Sequence, residues 1–245
     1  MVNLARLILD QPMVGRTFRK LTGRILHAAD VDVPRETIGT NYGSHTLLRD
    51  SLDARSIVYS FGVGEDASFD LGLIERYGCQ VHAFDPTERS IAWARVNVDH
   101  LLWKFHPVGI AATDGEAEFT SPADKTHVSF FRAPDENAGS HDSVRLTVRS
   151  LPTIMRDLSH ERIDLLKMDI EGFEYEVLQS MLATAIRPAQ IAVEFHHRMY
   201  GYTPAATNDA VSMLRQSGYC LFHVSDTGRE YSFCTTDSLT SSWRQ

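Results

Sequence analysis

The 245-residue sequence predicts an α/β protein that is built on a doubly wound, mostly parallel β-sheet. The first observation is the stretch Ser56–Pro86, which has the pattern of a buried strand, a glycine turn, a helix and a second strand. The second is Arg162–Leu182, where another apolar strand pattern leads through a glycine turn into a helix. The third is the end of the chain, where Gly218–Val224 and Glu230–Thr235 form two strand patterns around a short turn.

The first of these stretches has the plan of a nucleotide-cofactor half-domain. Ile57–Phe61 is a nearly continuous apolar run, which is typical of a strand buried on both faces of a parallel sheet. Gly62 and Gly64 follow at once, so the backbone can turn sharply and a ligand can approach the peptide planes. Cys79–Phe84 is the predicted second strand, and Asp85 stands directly after it, where it can accept hydrogen bonds from ribose hydroxyls.

Two cofactors are compatible with this loop. The G-x-G-x-x-A pattern that begins at Gly62 fits a dinucleotide site, but Glu65 and Asp66 place two carboxylates where a pyrophosphate would lie. S-adenosylmethionine (SAM) has no phosphate and carries a sulfonium and an ammonium group, so an acidic loop suits it better. An ordinary strand–helix–strand unit with no ligand is the third interpretation.

Composition excludes some classes of partner. The formal net charge of −8 disfavours tight binding to nucleic acid or to an anionic membrane. No apolar run approaches ~18 residues, so we expect no transmembrane helix. The three cysteines, Cys79, Cys220 and Cys234, are odd in number and unclustered, which indicates buried thiols in a reducing, cytoplasmic compartment.

The chain divides into two predicted parts. Residues 1–50 are predicted to be an N-terminal helical extension, because apolar residues recur at helical spacing among arginines in its first half. This extension could pack on the domain edge or cover the active site as a lid. Residues 51–245 form the main domain, and the turn around Tyr42 and Gly43 is expected to border its ligand pocket.

The middle of the chain continues the alternation of helix and strand. Thr87 can cap a helix that runs to about Leu101. The further predicted elements are a strand at Trp103–Ala111, short strands at Ala117–Thr120 and His127–Phe131, a loop at Pro134–Asp142, a strand at Ser143–Ser150, a helix from Pro152 and a helix at Asn208–Gln216.

Candidate reactive side chains follow two of the later strand patterns. Asp169 comes after an apolar strand and before Gly172, at the carboxyl end where open α/β sheets bind ligands. The pattern Gln190–Phe195 has Glu194 as its second-last residue and is followed by His196, and strand alternation puts these two side chains on one face if the strand continues.

Three motifs resemble the FkbM family of SAM-dependent methyltransferases. They are IVYSFGVGEDASFD at Ile57–Asp70, VHAFDPT at Val81–Thr87 and LLKMDIEGFEYEVL at Leu165–Leu178, the last of which matches the family's lysine-x-aspartate-x-glutamate-glycine signature. The resemblance covers about residues 57–235. It implies a Rossmann-like, seven-stranded, mostly parallel sheet with the last strand antiparallel, and methyl transfer that is usually to oxygen. Asp66 departs from the family, which often has a third glycine there.

The predicted site follows from this resemblance and from the strand ends. The predicted reaction is O-methylation of a hydroxyl group on a small-molecule or glycan-like acceptor. Asp169 orders the SAM amino group or orients the acceptor, His196 is the general base, and Glu194 orients its imidazole. The predicted cofactor-binding residues are Phe61, Gly62, Val63, Gly64, Asp85, Pro86, Ile110 and Asp169.

Several alternatives stay open at this point. Asp169, Glu194 and His196 could instead hold a divalent cation that binds a diol, although we favour a metal-free site. His196 and His197 could also be solvated loop residues with no role. The protein could be an NAD(P)-dependent oxidoreductase or a non-catalytic SAM-binding module, and no oligomeric state is predicted.

Overall fold

The computed structural model describes residues 26–120, 143–197, 199 and 201–242. The first half of the predicted N-terminal helical extension, residues 1–25, lies outside the described residues, and so do the predicted strand His127–Phe131 and the predicted loop Pro134–Asp142. The strands are β1 (Arg35–Ile38), β2 (His45–Leu48), β3 (Ile57–Phe61), β4 (Gln80–Phe84), β5 (Trp103–His106), β6 (Gly109–Ile110), β7 (Gly115–Thr120), β8 (Ser143–Arg149), β9 (Leu165–Met168), β10 (Gln190–Glu194), β11 (Tyr219–Val224) and β12 (Glu230–Thr235). The helices are α1 (Ser68–Tyr77), α2 (Glu88–Asn97), α3 (Leu151–Asp157), α4 (Glu174–Leu182), α5 (Pro204–Gln216) and α6 (Thr236–Ser242).

Within these described residues, the central sheet has seven strands in the order β11-β12-β10-β9-β3-β4-β5. The pairs from β5 to β10 are parallel, whereas β12 is antiparallel to both β10 and β11. The predicted doubly wound α/β sheet with an antiparallel last strand is therefore confirmed. The chain leaves β3 toward β4 on one side and later returns to β9 on the other, and ligands bind at such a switch point.

The two central strands are apolar because both sheet faces are covered. Val58 and Tyr59 of β3 and Leu165 and Leu166 of β9 are all fully buried. Neighbouring residues of each strand point to opposite faces of the sheet, so Tyr59 and Leu166 belong to one apolar core, and Val58 and Leu165 belong to the other. Burial on both faces explains why neither strand shows a polar alternation.

Proline accounts for two of the differences between the predicted and the observed element boundaries. The predicted strand at Trp103–Ala111 is divided into β5 and β6, because Pro107 between them has no N–H to donate to a ladder. The helix predicted from Asn208 begins earlier, at Pro204, because proline is well suited to the first turn of a helix.

The described part of the N-terminal extension is not helical. β1 and β2 form an antiparallel hairpin, and β2 packs against the central sheet. Leu48 N donates to Gln190 Oε1 at 2.8 Å, and Ser232 Oγ donates to Thr46 O at 2.7 Å. The predicted boundary at residue 50 is therefore corrected for residues 35–48, which are joined to the main domain by hydrogen bonds. Among the described residues, no helix is long and apolar enough to cross a membrane.

Candidate functional site

A cavity of about 290 Å³ lies at the carboxyl ends of β3, β4 and β9. All eight residues predicted to bind the cofactor line this cavity: Phe61, Gly62, Val63, Gly64, Asp85, Pro86, Ile110 and Asp169. The structure thus brings together residues that are separated by as many as 108 positions in the chain, from Phe61 to Asp169. Their roles toward a ligand stay predictions.

Glycine suits positions 62 and 64 of the loop for different structural reasons. Gly62 has a φ of +82°, and a Cβ on it would lie only 1.7 Å from the carbonyl oxygen of Asp169. Gly64 has a φ of +57°, and a Cβ there would meet no described atom within 4 Å. Gly62 is therefore needed for the close approach of the loop to the end of β9, while Gly64 presents its backbone to open space.

A buried lysine holds the same loop. Lys167 of β9 is 6% exposed, and its Nζ donates to Phe61 O at 3.1 Å and to Gly62 O at 2.6 Å. An ammonium group that bonds two carbonyls fixes the end of β3 against β9 more strongly than neutral hydrogen bonds would. The signature motif in the sequence contains this lysine, but the pattern alone did not indicate its contact with the loop.

Asp85 is fixed in place by its neighbours. Its Oδ2 accepts a hydrogen bond from Gly64 N at 2.9 Å, and its Oδ1 accepts from Thr87 N and Oγ1 at 3.0 and 2.7 Å. The carboxylate therefore connects the glycine loop with the start of α2. Its position at the end of β4 is the position that the sequence predicted.

Asp66, which stands where the family often has a glycine, links the loop to the β1–β2 hairpin. Its Oδ2 accepts a hydrogen bond from Thr40 Oγ1 at 2.6 Å, and its Oδ1 accepts from Ser68 N at 2.7 Å. The turn of this hairpin brings Tyr42 to the cavity, where the residue is 82% exposed. The sequence predicted that this turn borders the pocket but did not single out Tyr42 as a site residue.

Asp169, Glu171 and His196 converge beside the cavity, and we call them the Asp-Glu-His group. His196 Nε2 lies 3.1 Å from Glu171 Oε2 and 3.7 Å from Asp169 Oδ1. The imidazole is 2% exposed, whereas Asp169 and Glu171 line the cavity. Strand β9 positions Asp169, and the turn before α4 positions Glu171.

A fully buried carboxylate fixes the other side of the imidazole. Glu174 Oε1 lies 2.8 Å from His196 Nδ1 and accepts a hydrogen bond from Ile170 N at 3.1 Å. Its Oε2 accepts from Gly172 N at 3.0 Å. Acids at the start of a helix are commonly solvated, but the side chain of Glu174 is 0% exposed.

The histidine pair is buried, so the alternative of two solvated loop residues is wrong. His196 is bound as described above, and His197 Nδ1 lies 3.1 Å from Thr207 Oγ1. Burial lowers the pKa of His196, but the carboxylates of Glu174 and Glu171 outweigh it and raise this pKa to about 12. A proton on Nε2 would occupy the lone pair that a general base needs, and the role of His196 as general base stays a prediction.

Glu194 does not make the predicted contact with the imidazole. Strand β10 ends at Glu194, so strand alternation does not extend to His196. The carboxylate of Glu194 forms an ion pair with Arg229 at 3.1 Å. Burial and the nearby charge of Asp169 raise the pKa of Glu194 to about 8. Glu171 and Glu174, and not Glu194, are the carboxylate partners of His196, and Glu171 is the one that lies with Asp169 and His196 as a candidate metal ligand.

Comparison with known proteins now decides the family. The model of the methyltransferase FkbM domain matches residues 39–221, which is most of the chain. The chain belongs to the FkbM methyltransferase domain family. The FkbM match and the antiparallel β12 between β10 and β11 exclude the NAD(P)-dependent oxidoreductase alternative. SAM is the cofactor of this class of domain.

Two curated relatives of the FkbM domain are named "Probable methyltransferase-like protein 24". The human protein is 26% identical over 177 residues and the rat protein 26% over 178 residues, each match covering 68% of this chain. The chain spans 42% of the length of each relative. Among solved structures, Aeropyrum pernix fibrillarin with natively bound SAM has a TM-score of 0.41 and 11% identity, covering 77% of this chain and 68% of that one. The METTL16 methyltransferase domain has a TM-score of 0.43 and 14% identity, with coverages of 91% and 80%.

The residues that line the cavity of this FkbM domain are of the kinds that suit SAM. Gly64 offers open backbone, and Asp85 lines the cavity, where its contact with the ribose hydroxyls stays a prediction. Phe119 and Phe173 line the cavity with their rings stacked at a centroid distance of 5.0 Å, which gives it an apolar wall suited to a planar base. The acidic oxygens of Asp169 suit the cationic sulfonium and ammonium groups.

Proposed function

We propose that this FkbM domain methylates a hydroxyl oxygen of a small-molecule or glycan-like acceptor. The observation that carries this proposal is that the carboxylates of Asp169 and Glu171 line the same cavity as the glycine loop. A carboxylate accepts a hydrogen bond from a hydroxyl group and can hold its oxygen in a fixed direction. A nucleophile held beside the SAM loop is what an in-line methyl transfer requires.

The chain's own residues orient the reactants in this proposal. SAM supplies a methyl carbon on a positively charged sulfur. Asp169 accepts the hydrogen bond of the acceptor hydroxyl and directs the oxygen toward the cavity, and Lys167 holds the glycine loop in register with β9. The acceptor O–C bond forms as the S–C bond breaks, and the hydroxyl proton leaves to a cavity carboxylate or to water. The products are a methyl ether and S-adenosylhomocysteine.

An acceptor screen tests the reaction class. The purified chain is incubated with SAM and with matched hydroxyl, amine and thiol compounds, and S-adenosylhomocysteine is measured by mass spectrometry. We expect turnover with a hydroxyl acceptor, and a fall of about 10²–10⁴-fold in kcat for Asp169→Asn with the affinity for SAM reduced far less. Turnover only with amines would overturn the oxygen assignment. SAM binding without turnover on any acceptor would favour the non-catalytic module.

We further propose that the acceptor is not a nucleic acid and that the chain works in the cytoplasm. The net charge of −8 supports the first point. Cys220 and Cys234 support the second, because they are register partners on β11 and β12 and are both free thiols. A gel-shift assay with mixed RNA tests the first point, and a shifted RNA would contradict it. Fractionation of the host cells tests the second point, and a secreted chain would contradict it.

A further inference from the structure

Three atoms of the kinds that bind metal ions converge in the Asp-Glu-His group. One carboxylate oxygen each from Asp169 and Glu171 and one ring nitrogen of His196 all lie within 4.8 Å of one another. His196 Nε2 is 3.1 Å from Glu171 Oε2 and 3.7 Å from Asp169 Oδ1. Neighbouring ligands of one octahedral Mg²⁺ lie about 3 Å apart, since each bond is about 2.1 Å long. Small side-chain adjustments would therefore let one ion touch all three atoms.

The histidine is oriented in the way that metal-binding histidines usually are. Its Nδ1 lies 2.8 Å from Glu174 Oε1, so the ring presents Nε2 to Asp169 and Glu171. A carboxylate that accepts the Nδ1 proton selects the tautomer whose Nε2 lone pair is available to a metal. Glu174 is itself held by two backbone N–H groups and is fully buried. The buried carboxylate of Glu174 distinguishes this arrangement from a cluster of exposed acids that has no fixed geometry.

The Asp-Glu-His group also borders the cavity in which the reactants would bind. Asp169 and Glu171 line the cavity on one side and contact the buried imidazole on the other. An ion between them would have His196 behind it and its remaining coordination positions toward the cavity. Two carboxylates and one imidazole are hard and borderline donors, which suit Mg²⁺ or Mn²⁺ more than a soft thiophilic ion.

We propose that Asp169, Glu171 and His196 bind one divalent cation of the Mg²⁺ or Mn²⁺ class. Resting on the proposed function, we also infer that the acceptor presents two adjacent oxygens, as in a vicinal diol or an α-hydroxy acid. Both oxygens would bind the cation, which lowers the pKa of the hydroxyl that is methylated. Cation binding itself does not depend on the nature of the acceptor.

A proton on His196 Nε2 is the competing occupant of the same place. In that case the three side chains form only an ion-pair cluster, and the cluster would take up no metal at millimolar concentration. The ring nitrogen can hold a proton or a metal but not both, so a titration with Mn²⁺ alone distinguishes the two states.

The experiment uses the full chain after treatment with a chelator and desalting. Binding of Mn²⁺ is followed through the loss of the free-ion signal in electron paramagnetic resonance, with Mg²⁺ as competitor. We expect one ion per chain, a loss of at least about 10-fold in affinity for Glu171→Gln and His196→Gln, and a loss of about 10–100-fold for Glu174→Gln. Glu36→Gln is the matched control, because this carboxylate is about as exposed as that of Glu171, interacts with Arg76 and Tyr77 of α1, and should leave Mn²⁺ affinity unchanged.

The outcomes separate this proposal from the proposed function. No Mn²⁺ binding by the wild type, or equal binding by wild type and Glu171→Gln, overturns the cation site. Because Glu171 is partly exposed, that variant keeps the test valid if His196→Gln fails to fold in a thermal melt. Chelator-resistant methylation of a hydroxyl acceptor overturns the inference that the acceptor binds the cation, but it keeps the proposed function, and the Mn²⁺ titration alone decides the cation site. Mn²⁺ binding with methylation of amines alone overturns only the acceptor assignment.

Discussion

Replacement of Gly62 by alanine should disconnect the cofactor loop from β9. The added Cβ would lie 1.7 Å from the carbonyl oxygen of Asp169, and that atom belongs to the backbone of the strand exit. A carbon and an oxygen in contact need more than 3 Å, so the two backbones must separate by about 1.5 Å. The φ of +82° adds a local cost of roughly 1–2 kcal/mol for a residue with a Cβ.

The separation has two measurable consequences. The Lys167 ammonium bonds Gly62 O at 2.6 Å, and a shift of about 1.5 Å would break this bond in a buried place. The loss of this hydrogen bond and the backbone strain together should lower the free energy of unfolding of Gly62→Ala by about 3–4 kcal/mol. We also expect a loss of at least about 10²-fold in SAM affinity, because misplacement by an ångström is costly in a preorganised site. Urea unfolding and calorimetric titration with SAM are the measurements.

Gly64→Ala is the matched control for this substitution. Gly64 has a similar left-handed backbone, with a φ of +57°, but a Cβ there would meet no described atom within 4 Å. Its effect on the free energy of unfolding should therefore be only the conformational cost of about 1 kcal/mol. Equal destabilisation of the two variants would refute the reasoning, because it would mean that backbone conformation alone, and not the contact with Asp169, explains the need for Gly62.

Three further predictions concern other parts of the molecule. Lys167→Met keeps most of the apolar stem of the side chain and removes both hydrogen bonds to the loop carbonyls, so SAM affinity measured by calorimetry should fall by about 10-fold or more. An unchanged affinity would show that the loop keeps its conformation without these two bonds. Tyr42→Ala should lower kcat/KM for the acceptor while SAM affinity changes little, because this side chain stands exposed at the cavity edge. Burial beside His160 and His106 lowers the pKa of His82 to about 4. In the unfolded chain the His82 imidazole takes up a proton near its ordinary pKa of 6.5, whereas in the folded chain it stays neutral until about pH 4. The contribution of His82 to the free energy of unfolding is therefore complete above pH 6.5 and decreases below it, by about 2 kcal/mol between pH 7 and pH 5. Urea unfolding of wild type and of His82→Gln at pH 7 and at pH 5 tests this. An equal change in the free energy of unfolding between the two pH values in both proteins would contradict it.

The sheet and the position of the cavity could be predicted because both leave local signals. A strand that is buried on both faces needs a run of apolar residues, and Ile57–Phe61 has one. The residues at the carboxyl ends of such strands then meet at one edge by topology alone. Asp85 and Asp169 were placed beside the cavity by this rule, without any knowledge of their contacts.

The partners of His196 could not be predicted in the same way. Alternation along β10 suggested Glu194, but the strand ends there and the ring turns toward Glu174, which is 22 positions away in the chain. That contact depends on how α4 packs beside the end of β10. An acid in the first turn of a helix is equally typical of a solvated residue that favours the helix dipole, so Glu174 carried no distinguishing signal.

The hairpin at residues 35–48 shows a similar limit. Its turn was predicted, but its strands are only four residues long each and carry little periodicity. Their order comes from long-range bonds, such as that of Leu48 N to Gln190 Oε1 and that of Thr40 Oγ1 to Asp66 Oδ2. Pairing of this kind is a tertiary effect that a local pattern does not record.

The exit of β9 connects the two halves of the site through successive residues of one motif. Lys167 holds the carbonyls of the glycine loop, and the backbone of Asp169 contacts Gly62. The side chains of Asp169 and Glu171 lie on the other side, against His196. Because different atoms make these contacts, substitutions should separate the functions: Lys167→Met should weaken SAM binding without abolishing the cation site, and Glu171→Gln should do the reverse. Both effects from either change would instead indicate that the strand exit moves as one unit.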